Sequence, residues 1–410
     1  MKLNTGNNVK NTYRWFILTL SVLVMLFAGI IYAWSILKVP FAEDFGWKAE
    51  QLSLNFTLTM CTFCLGGLLG SFLARKIGVK FAGLISAALS GIGMLLTGFL
   101  NGNNVVMLYL TYAILAGTGI GIAYNVIIST VSSHFPDRKG FCTGCLMMGF
   151  GASSLILGNL ADLLFRSSFE RKGTYVFLGV SLFVVLGIAS LLLKKPDANT
   201  VLPSSKKKAA ERSENFEQQD YSTISMLKRF SFWRAFALLA FATAVGNSVI
   251  SFARDLALSV GAKVTLATTL VGVLAICNGL GRILTGALFD ALGRQKTMLI
   301  ATILTIVAAA TTLLSVVSGS LPICVIGLCL TGLSYGSCPT MVTSFVSSFY
   351  GQKHFATNFS VMNCNLICAS FMATACSKLL NIFGSYTAPF ILLLGLAVAA
   401  FILNLSIKRP

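Results

Sequence analysis

One arginine inside an apolar run is the residue of this sequence with the clearest chemistry. Arg282 lies near the middle of residues 265–289, which are almost all uncharged. A guanidinium among apolar groups is costly and normally faces a polar cavity or a partner, and its planar fork binds a carboxylate through two parallel hydrogen bonds. The residues one turn away are Asn278 and Gly286, which carry no charge. The sequence therefore predicts that Arg282 binds an anion, with Asn278 beside it.

The alternative is a structural salt bridge between Arg282 and an acid from another helix. Asp162 and Asp255 are the candidate acids, and both lie toward the ends of their apolar runs. A charge buried within a membrane protein is commonly paired in this way. Their distance from the middle of the runs favours anion binding by Arg282 over this pairing.

The cysteines form patterns that resemble metal or redox sites only in spacing. Cys61 with Cys64 and Cys142 with Cys145 are CxxC pairs, but both lie inside apolar stretches with no neighbouring histidine or second pair. A buried thiol behaves as a small apolar side chain, and zinc sites use two such pairs or added histidines. The sequence predicts helix packing for these cysteines, with no metal and no cofactor.

Nucleotide-driven or histidine-dependent chemistry is not indicated either. No Gly-Lys dipeptide occurs, so the chain has no Walker loop for ATP. The two histidines, His134 and His354, follow apolar runs at nearly equivalent positions of the two halves. We expect them to be solvated or interfacial and not catalytic.

Composition places these residues in a membrane protein. Of 410 residues, 56% are hydrophobic and 11% are charged, whereas soluble domains carry about 25% charged residues. This excludes a soluble enzyme. The net charge of +18 comes from short segments between apolar runs and not from a basic stripe with aromatic residues, so a nucleic-acid partner is excluded as well.

Twelve apolar runs are long enough to cross a bilayer as helices, because about 20 residues span the hydrocarbon core. They do not alternate and are twice as long as a barrel strand requires. The predicted spans 1 to 12 are residues 15–37, 52–73, 81–100, 105–131, 141–165, 175–193, 233–253, 265–289, 298–317, 323–346, 355–380 and 388–407.

Charge distribution predicts the orientation and the division of the chain. Most lysines and arginines fall in alternate connecting segments that include both ends of the chain, so the positive-inside rule places both termini in the cytoplasm of a multi-pass protein of the cell membrane. We expect six-helix bundles at residues 1–193 and 231–410, joined by a cytoplasmic linker at 194–230. That linker, which contains the lysine run 206–208, is expected to contact anionic lipids, with a regulatory binding segment as the alternative.

The two predicted bundles repeat each other in sequence. At one constant offset, Leu65 pairs with Leu280, Gly66 with Gly281, and residues 131–133 with the identical tripeptide at 346–348. Parallel six-span halves related by an axis along the membrane normal are typical of secondary transporters.

Two connecting loops carry the motif that supports a family resemblance. Residues 286–296, after span 8, resemble the signature loop of the major facilitator superfamily, in which an acid and a glycine turn precede basic residues. Residues 71–80, after span 2, form the repeat copy, with Arg75 where the acid belongs. This departure puts the usual gating interaction on that side in doubt. The resemblance implies gating roles for Arg75, Gly78, Asp290, Gly293 and Arg294.

Within that superfamily the chain resembles the oxalate:formate antiporter family and the related monocarboxylate transporters. Residues 31–35, 134–140 and 278–282 carry this resemblance, which implies that Arg282 holds the substrate carboxylate. Relatives that exchange dicarboxylates carry a second basic residue inside span 11, whereas here the only lysine of that span, Lys378, is near its outer end. Proton-coupled relatives often place an aspartate at the position of Asn278. Proton symport would therefore need Asp255 or Asp162 as the carrier.

The resemblance also implies which spans line the substrate path. Spans 1, 4, 7 and 10 do so in this superfamily, and their aromatic and amide groups suit a small anion. Two alternatives stay open: Tyr32 and Trp34 can be interfacial belt residues, and Asn363 and Asn365 of span 11 can bond between helices. With Arg282 and Asn278, the predicted substrate-binding residues are Tyr32, Trp34, Tyr124, Asn125, Asn247, Tyr335 and Asn363.

These observations predict an all-α membrane protein with twelve transmembrane helices in two pseudo-symmetric six-helix bundles. The expected function is secondary active transport of a small carboxylate, a monocarboxylate such as lactate, pyruvate or formate, by a monomer, with a proton or a counter-anion as the coupled species. Oxalate:formate antiport and a non-transporting anion receptor are the alternatives. A membrane enzyme is not expected, because no nucleophile, base or metal cluster is predicted at membrane depth.

Overall fold

The protein is described from a computed structural model that covers residues 5–102, 104–194, 196 and 220–407, with side chains described there except at 5–12, 49, 50, 53, 268, 373, 377 and 381. All regular structure within this part of the chain is helical. Eleven of its helical segments are long and apolar enough to cross a membrane, and the longest of them, Val264–Ser318, contains both span 8 and span 9. The predicted all-α membrane protein with twelve spans is confirmed.

The chain divides into two compact units, Met1–Glu217 and Gln218–Pro410. The first unit holds spans 1 to 6 and one short helix between spans 1 and 2. Its segments are Thr5–Ala28, Gly29–Ala33 and Trp34–Leu37 for span 1; Val39–Phe45; Ala49–Lys76; Gly78–Gly98; Val105–Leu108, Tyr109–Ala116 and Gly117–His134 for span 4; Lys139–Phe165; and Glu170–Leu192.

The second unit holds spans 7 to 12, preceded by one short helix. Its segments are Thr223–Leu227; Phe230–Ser259; Val264–Ser318 for spans 8 and 9; Leu321–Tyr350; Phe355–Asn363 and Asn365–Phe383 for span 11; and Thr387–Ser406. The core is formed by buried apolar residues of several spans, among them Val249, Leu256, Leu328 and Leu393.

Several helices are longer than the apolar runs that predicted them. Span 1 begins at Thr5 instead of residue 15, and span 7 covers Phe230–Ser259 instead of 233–253. The apolar run measures the hydrocarbon core, whereas helical hydrogen bonds continue into the polar interface on either side. Hydropathy therefore predicts the number of spans well and their ends less well.

Two spans change helix type inside the first unit. Span 1 tightens into a 3₁₀ segment, Gly29–Ala33, and span 4 widens into a π-helical segment, Tyr109–Ala116. Gly29 packs so closely on the main-chain carbonyl of Phe150 that any Cβ there would collide with it. Such departures from α geometry are frequent at functional sites.

The break between spans 8 and 9 depends on a glycine. Gly293 has φ of 76° and ψ of −179°, which side chains with a Cβ rarely adopt. Gly78, at the equivalent repeat position between spans 2 and 3, also has a positive φ of 85°. The same residue type therefore makes the same kind of turn in both halves.

The predicted linker, residues 194–230, is described only in part. Its lysine run at 206–208 lies outside the described residues. From Asp220 onward the chain is described, and it forms the helix Thr223–Leu227 directly before span 7. This end of the predicted linker belongs to the second unit and is hydrogen-bonded to the loop between spans 10 and 11.

Candidate functional site

Arg282 is buried inside the second unit, with 4% of its surface exposed. Its Nε donates a hydrogen bond of 3.2 Å to Oδ1 of Asn278, one helical turn earlier on span 8. The main-chain oxygen of Arg282 accepts a bond of 3.1 Å from the hydroxyl of Thr340 on span 10. The amide thus orients the guanidinium, and span 10 holds the backbone from which it extends.

Glycines let spans 8 and 10 approach closely enough for these contacts. A Cβ at Gly281 would collide with the carbonyl of Leu333, and a Cβ at Gly336 would collide with the carbonyl of Asn278. A Cβ at Gly332 would lie only 2.6 Å from the carbonyl oxygen of Leu274. Small residues permit this kind of backbone contact between membrane helices. The Arg282 site is therefore built on a glycine-lined contact between two spans.

We expect Gly336→Ala to disturb this site directly. The added methyl group would overlap the carbonyl of Asn278 and stand 3.1 Å from the main-chain nitrogen of Arg282, so the spans would have to separate. Overpacking of this kind costs about 1–3 kcal/mol. Thermal unfolding of the purified protein in detergent should show a lower midpoint, and substrate transport should fall with it.

Gly272→Ala is the matched control for that variant. Gly272 is also helical and lies on span 8, but a Cβ there has no atom within 4 Å. Its midpoint should equal or slightly exceed that of the wild type, because alanine is the better helix former. Equal effects of the two substitutions would contradict the close-packing account.

Spans 7 and 11 also contribute polar groups near Arg282. The thiol of Cys338 on span 10 interacts with the hydroxyl of Thr243 and with the charge of Arg282. Thr243, on span 7, donates a bond of 3.5 Å to Oδ1 of Asn365 on span 11. Asn365 is 1% exposed. This bond supports the alternative in which Asn365 links helices, and it brings groups from four spans together.

Thr243, Cys338 and Thr340 were missed by the sequence reasoning. Hydroxyl and thiol side chains are common in membrane helices, where they bond to the preceding turn, and nothing in their spacing distinguished these three. Only their contacts with Arg282 or Asn365 mark them.

The other predicted residues of the second unit lie on spans 7, 10 and 11. Tyr335 is buried and packs against Gly246 of span 7, where a Cβ would overlap its ring. Asn247 follows Gly246 and is half-buried. Asn363 is buried at the end of the helix Phe355–Asn363, two residues before Asn365.

In the first unit, two predicted tyrosines belong to one aromatic cluster. The rings of Tyr32 and Tyr124 lie 5.3 and 5.0 Å from the ring of Phe150, and Phe63 lies 5.0 Å from Tyr124. Asn125, next to Tyr124, is buried. These positions join spans 1, 2, 4 and 5, and a role for them in substrate binding stays a prediction.

Trp34 is buried inside the first unit. It is 4% exposed, its indole N–H donates to the carbonyl of Leu52 at 2.8 Å, and its ring lies 4.6 Å from that of Tyr112. A tryptophan of an interfacial belt would have its ring in the headgroup region. These contacts pack Trp34 into the first unit, while a place in the belt and contact with substrate both stay predictions.

His134 is buried and not solvated, whereas a position at the membrane interface stays a prediction. It is 5% exposed, and its Nε2 lies 2.8 Å from the carbonyl oxygen of Lys194. The loop that follows is held by a salt bridge between Arg14 and Asp137, and the guanidinium of Arg14 lies 4.4 Å from the ring centre of Phe135. These long-range contacts enclose the histidine.

The two acids proposed as alternative partners of Arg282 have other surroundings. Asp162 pairs with Arg166, one turn later, at 3.0 Å on the exposed surface. Asp255 is exposed and lies near Tyr386 before span 12, where burial and this negative charge raise the pKa of the tyrosine. These positions do not favour a structural salt bridge with Arg282.

The predicted gating residues lie at the ends of spans 2 and 8. Arg75 and Asp290 are exposed. The guanidinium of Arg294 lies 4.6 Å from the ring centre of Phe349 on span 10, which is a cation–π distance. Gly78 and Gly293 make the turns described above. Gating by these residues stays a prediction.

The described residues contain no group of three or more histidine, cysteine, aspartate or glutamate side chains placed to hold a metal ion. We therefore assign no metal ligands in this part of the chain.

Sequence comparison relates most of the chain to known proteins. The family model described as Major Facilitator Superfamily matches residues 17–374 and 236–409. The chain is 26% identical to the uncharacterized MFS-type transporter YhjX of Escherichia coli (strain K12) over 87% of this chain and 86% of that protein. It is 27% identical to the oxalate:formate antiporter of Oxalobacter formigenes over 70% and 65%, and 30% identical to monocarboxylate transporter 12-B of Danio rerio over 35% and 28%.

Structure comparison agrees on the fold. The proton:xylose symporter XylE superimposes with a TM-score of 0.74 over 98% of this chain and 97% of that structure, at 13% sequence identity. At this identity the likeness concerns the fold and carries no information on the substrate.

Proposed function

The chain belongs to the major facilitator superfamily, and we propose that it is a secondary transporter of small monocarboxylates in which Arg282 binds the substrate carboxylate. The observation that carries this proposal is the burial of a guanidinium within a membrane span, oriented by Asn278. A cation at this depth is costly unless polar or oppositely charged groups compensate it, and such residues commonly mark substrate sites. A carboxylate substrate would supply a matching negative charge and two parallel hydrogen bonds.

The neutral character of the surrounding groups supports a substrate with one carboxylate. The polar side chains around Arg282 form hydrogen bonds without carrying a charge. They are those of Asn278, Thr243, Cys338 and Asn365. Lys378, the lysine of span 11, is exposed. The positive charge of Arg282 would balance one carboxylate, and a second carboxylate at this site would be desolvated with no further charge to balance it.

Alternating access is the mechanism that fits this chemistry. Binding of the anion neutralises the charge of Arg282 and so lowers the free energy of the occluded state. Without the anion, occlusion would bury the charge of Arg282 without neutralising it, which is unfavourable. In this proposal the six-span halves of residues 1–193 and 231–410 move around the bound substrate. Tyr32, Tyr124 and Asn125 of the first unit, with Asn247, Tyr335 and Asn363 of the second, are the proposed further contributors.

Oxalate:formate exchange is the second candidate. It is favoured by the relative of that name, with which the chain shares 27% identity over 70% of its length. The absence of a lysine from the middle of span 11 counts against a doubly charged substrate. A coupled proton or counter-anion remains part of either proposal.

We also propose that the protein resides in the cell membrane with both termini in the cytoplasm. The distribution of lysine and arginine among the connecting segments supports this orientation. The basic residues of these segments would contact anionic lipid headgroups.

Uptake by proteoliposomes tests the proposed function. We expect labelled lactate, pyruvate or formate to be taken up, and unlabelled monocarboxylates to compete better than dicarboxylates of similar size. Runs with and without a proton gradient would distinguish symport from exchange. Faster uptake into vesicles loaded with oxalate than into empty ones would favour the second candidate. Anion binding without any uptake or counterflow would overturn transport and indicate a receptor.

A further inference from the structure

The chain just before span 7 is bonded to the loop between spans 10 and 11. We call residues 220–223 the strap. Oδ1 of Asp220 accepts hydrogen bonds from the main-chain nitrogens of Gln352 at 2.7 Å and Lys353 at 3.1 Å. The main-chain nitrogen of Tyr221 donates to the carbonyl of Tyr350 at 3.1 Å. A carboxylate that accepts two main-chain bonds holds a loop firmly, because bonds to an ionised group are the strong ones.

A glycine makes room for this carboxylate. Gly351 has a φ of 79°, and a Cβ at this position would collide with Oδ1 of Asp220. The loop between spans 10 and 11 therefore combines a positive φ with a close approach of the strap, both of which favour glycine.

The strap also satisfies a fully buried amide of span 11. Asn358 is 0% exposed. Its Nδ2 donates to the carbonyl of Tyr221 at 3.0 Å, and its Oδ1 accepts from the hydroxyl of Thr223 at 2.9 Å. A buried amide is costly when its hydrogen bonds are unmade. Both bonds come from the strap, so the placement of this part of span 11 depends on it.

Span 11 is interrupted one residue after Asn363. The helix Phe355–Asn363, which we call the half-helix, ends at Asn363, Cys364 lies between the two helices, and the second helix starts at Asn365. At the interruption, the main-chain nitrogens of Cys364 and Ile367 bond to carbonyls three residues earlier, which is 3₁₀ geometry. Such a stretch within a longer helix commonly marks a hinge. The half-helix thus has a hinge at one end and the strap on its Asn358 face.

We propose that Asp220, Thr223 and Asn358 are positioning residues for the anion site. The strap fixes the orientation of the half-helix about the hinge at Cys364. The last residue of the half-helix is Asn363, a predicted substrate contact, which lies two residues before Asn365. Asn365 is the residue bonded to Thr243. None of the three residues touches the anion. The last step of this inference, from the half-helix to the anion, rests on the proposed function.

Two pairs of substitutions separate the strap bonds from other effects. Asp220→Ala combined with Thr223→Val removes the carboxylate and the hydroxyl, whereas Asp220→Asn combined with Thr223→Ser keeps an acceptor oxygen and a hydroxyl at the same places. If the strap acts through these bonds, the first double variant should release the half-helix and the second should retain most of the wild-type behaviour.

The first readout is alkylation of Cys364 by N-ethylmaleimide, followed by mass spectrometry on the complete protein. Cys364 is half-buried at the hinge, and exposed Cys368 on the next helix is an internal reference. In the Ala/Val variant we expect Cys364 to react about threefold or more faster relative to Cys368, because local opening exposes it. An unchanged ratio would overturn the strap as a restraint on the half-helix, whatever the substrate is.

The second readout is transport kinetics with a monocarboxylate. We expect KM to rise about fivefold in the Ala/Val variant, because movement of the half-helix would displace Asn363 as a hydrogen-bonding group. We expect kcat to stay within about twofold of the wild-type value. The Asn/Ser variant should restore KM. Faster alkylation with an unchanged KM would overturn the link to the anion site. The alkylation result does not depend on Arg282, so it also stands if carboxylate binding by that residue fails.

Discussion

Arg282→Lys should remove most carboxylate transport although it preserves the positive charge. The guanidinium offers parallel donors in one plane and keeps Nε for Asn278, whereas an ammonium group is a point charge that cannot do both. Loss of a charge-assisted hydrogen bond costs about 1.5–3 kcal/mol, which corresponds to a rate lower by about tenfold to a hundredfold. Initial uptake in proteoliposomes with equal amounts of protein measures the effect.

Arg254→Lys is the matched control, since Arg254 is exposed at the end of span 7. This variant should transport at the wild-type rate. Thermal unfolding would show whether Arg282→Lys is folded, because a misfolded protein would lose activity for a different reason. A folded Arg282→Lys protein with wild-type uptake would refute direct carboxylate recognition by the guanidinium.

Asn365→Lys should shift the substrate preference toward dicarboxylates. Asn365 is buried on span 11, and its bond to Thr243 places it near the groups around Arg282. A second cation there would attract the second carboxylate of a dicarboxylate. A monocarboxylate would neutralise only one of the two cations, which would leave them repelling each other. We expect the ratio of oxalate to formate uptake to rise about tenfold, or about 1.4 kcal/mol in relative transition-state stabilisation.

Asn365→Met provides the control for size, because methionine is about as long as lysine but carries no charge. It should lower transport of both anions without changing their ratio. Leu366→Lys, at the next position of span 11, which is half-buried, offers a second site if Asn365→Lys does not fold. An unchanged selectivity in folded lysine variants at both positions would count against the charge-balance argument.

The fold was predictable because its signals lie along continuous segments. Twelve apolar runs predicted twelve spans, and the structure and the family match confirm the architecture. The glycine turns at Gly78 and Gly293, found in equivalent repeat positions, have the positive φ that the loop motif requires. Each of these features depends on a short stretch of sequence, so no knowledge of distant contacts was needed.

The roles of individual polar residues were harder to predict. Trp34 was expected in a substrate path or an interfacial belt, and the structure adds that it donates to the carbonyl of Leu52 inside the first unit. His134 was expected to be solvated or interfacial, but it is buried, and its Nε2 lies 2.8 Å from the carbonyl oxygen of Lys194. Both residues acquire their surroundings from segments distant in sequence, and their type alone is compatible with several environments.

Along the chain, the lengths of the apolar runs already determined a twelve-span protein, and the cost of one arginine within such a run led to the proposal of an anion site on span 8. The partners of its buried polar groups became known only from packing. Thr223 and Asn358 are 135 positions apart, and Arg282 meets Thr340 because glycines let two helix backbones approach. Hydropathy is a sum over neighbouring residues, whereas a hydrogen bond needs two atoms within about 3 Å of each other, and folding alone brings such atoms together.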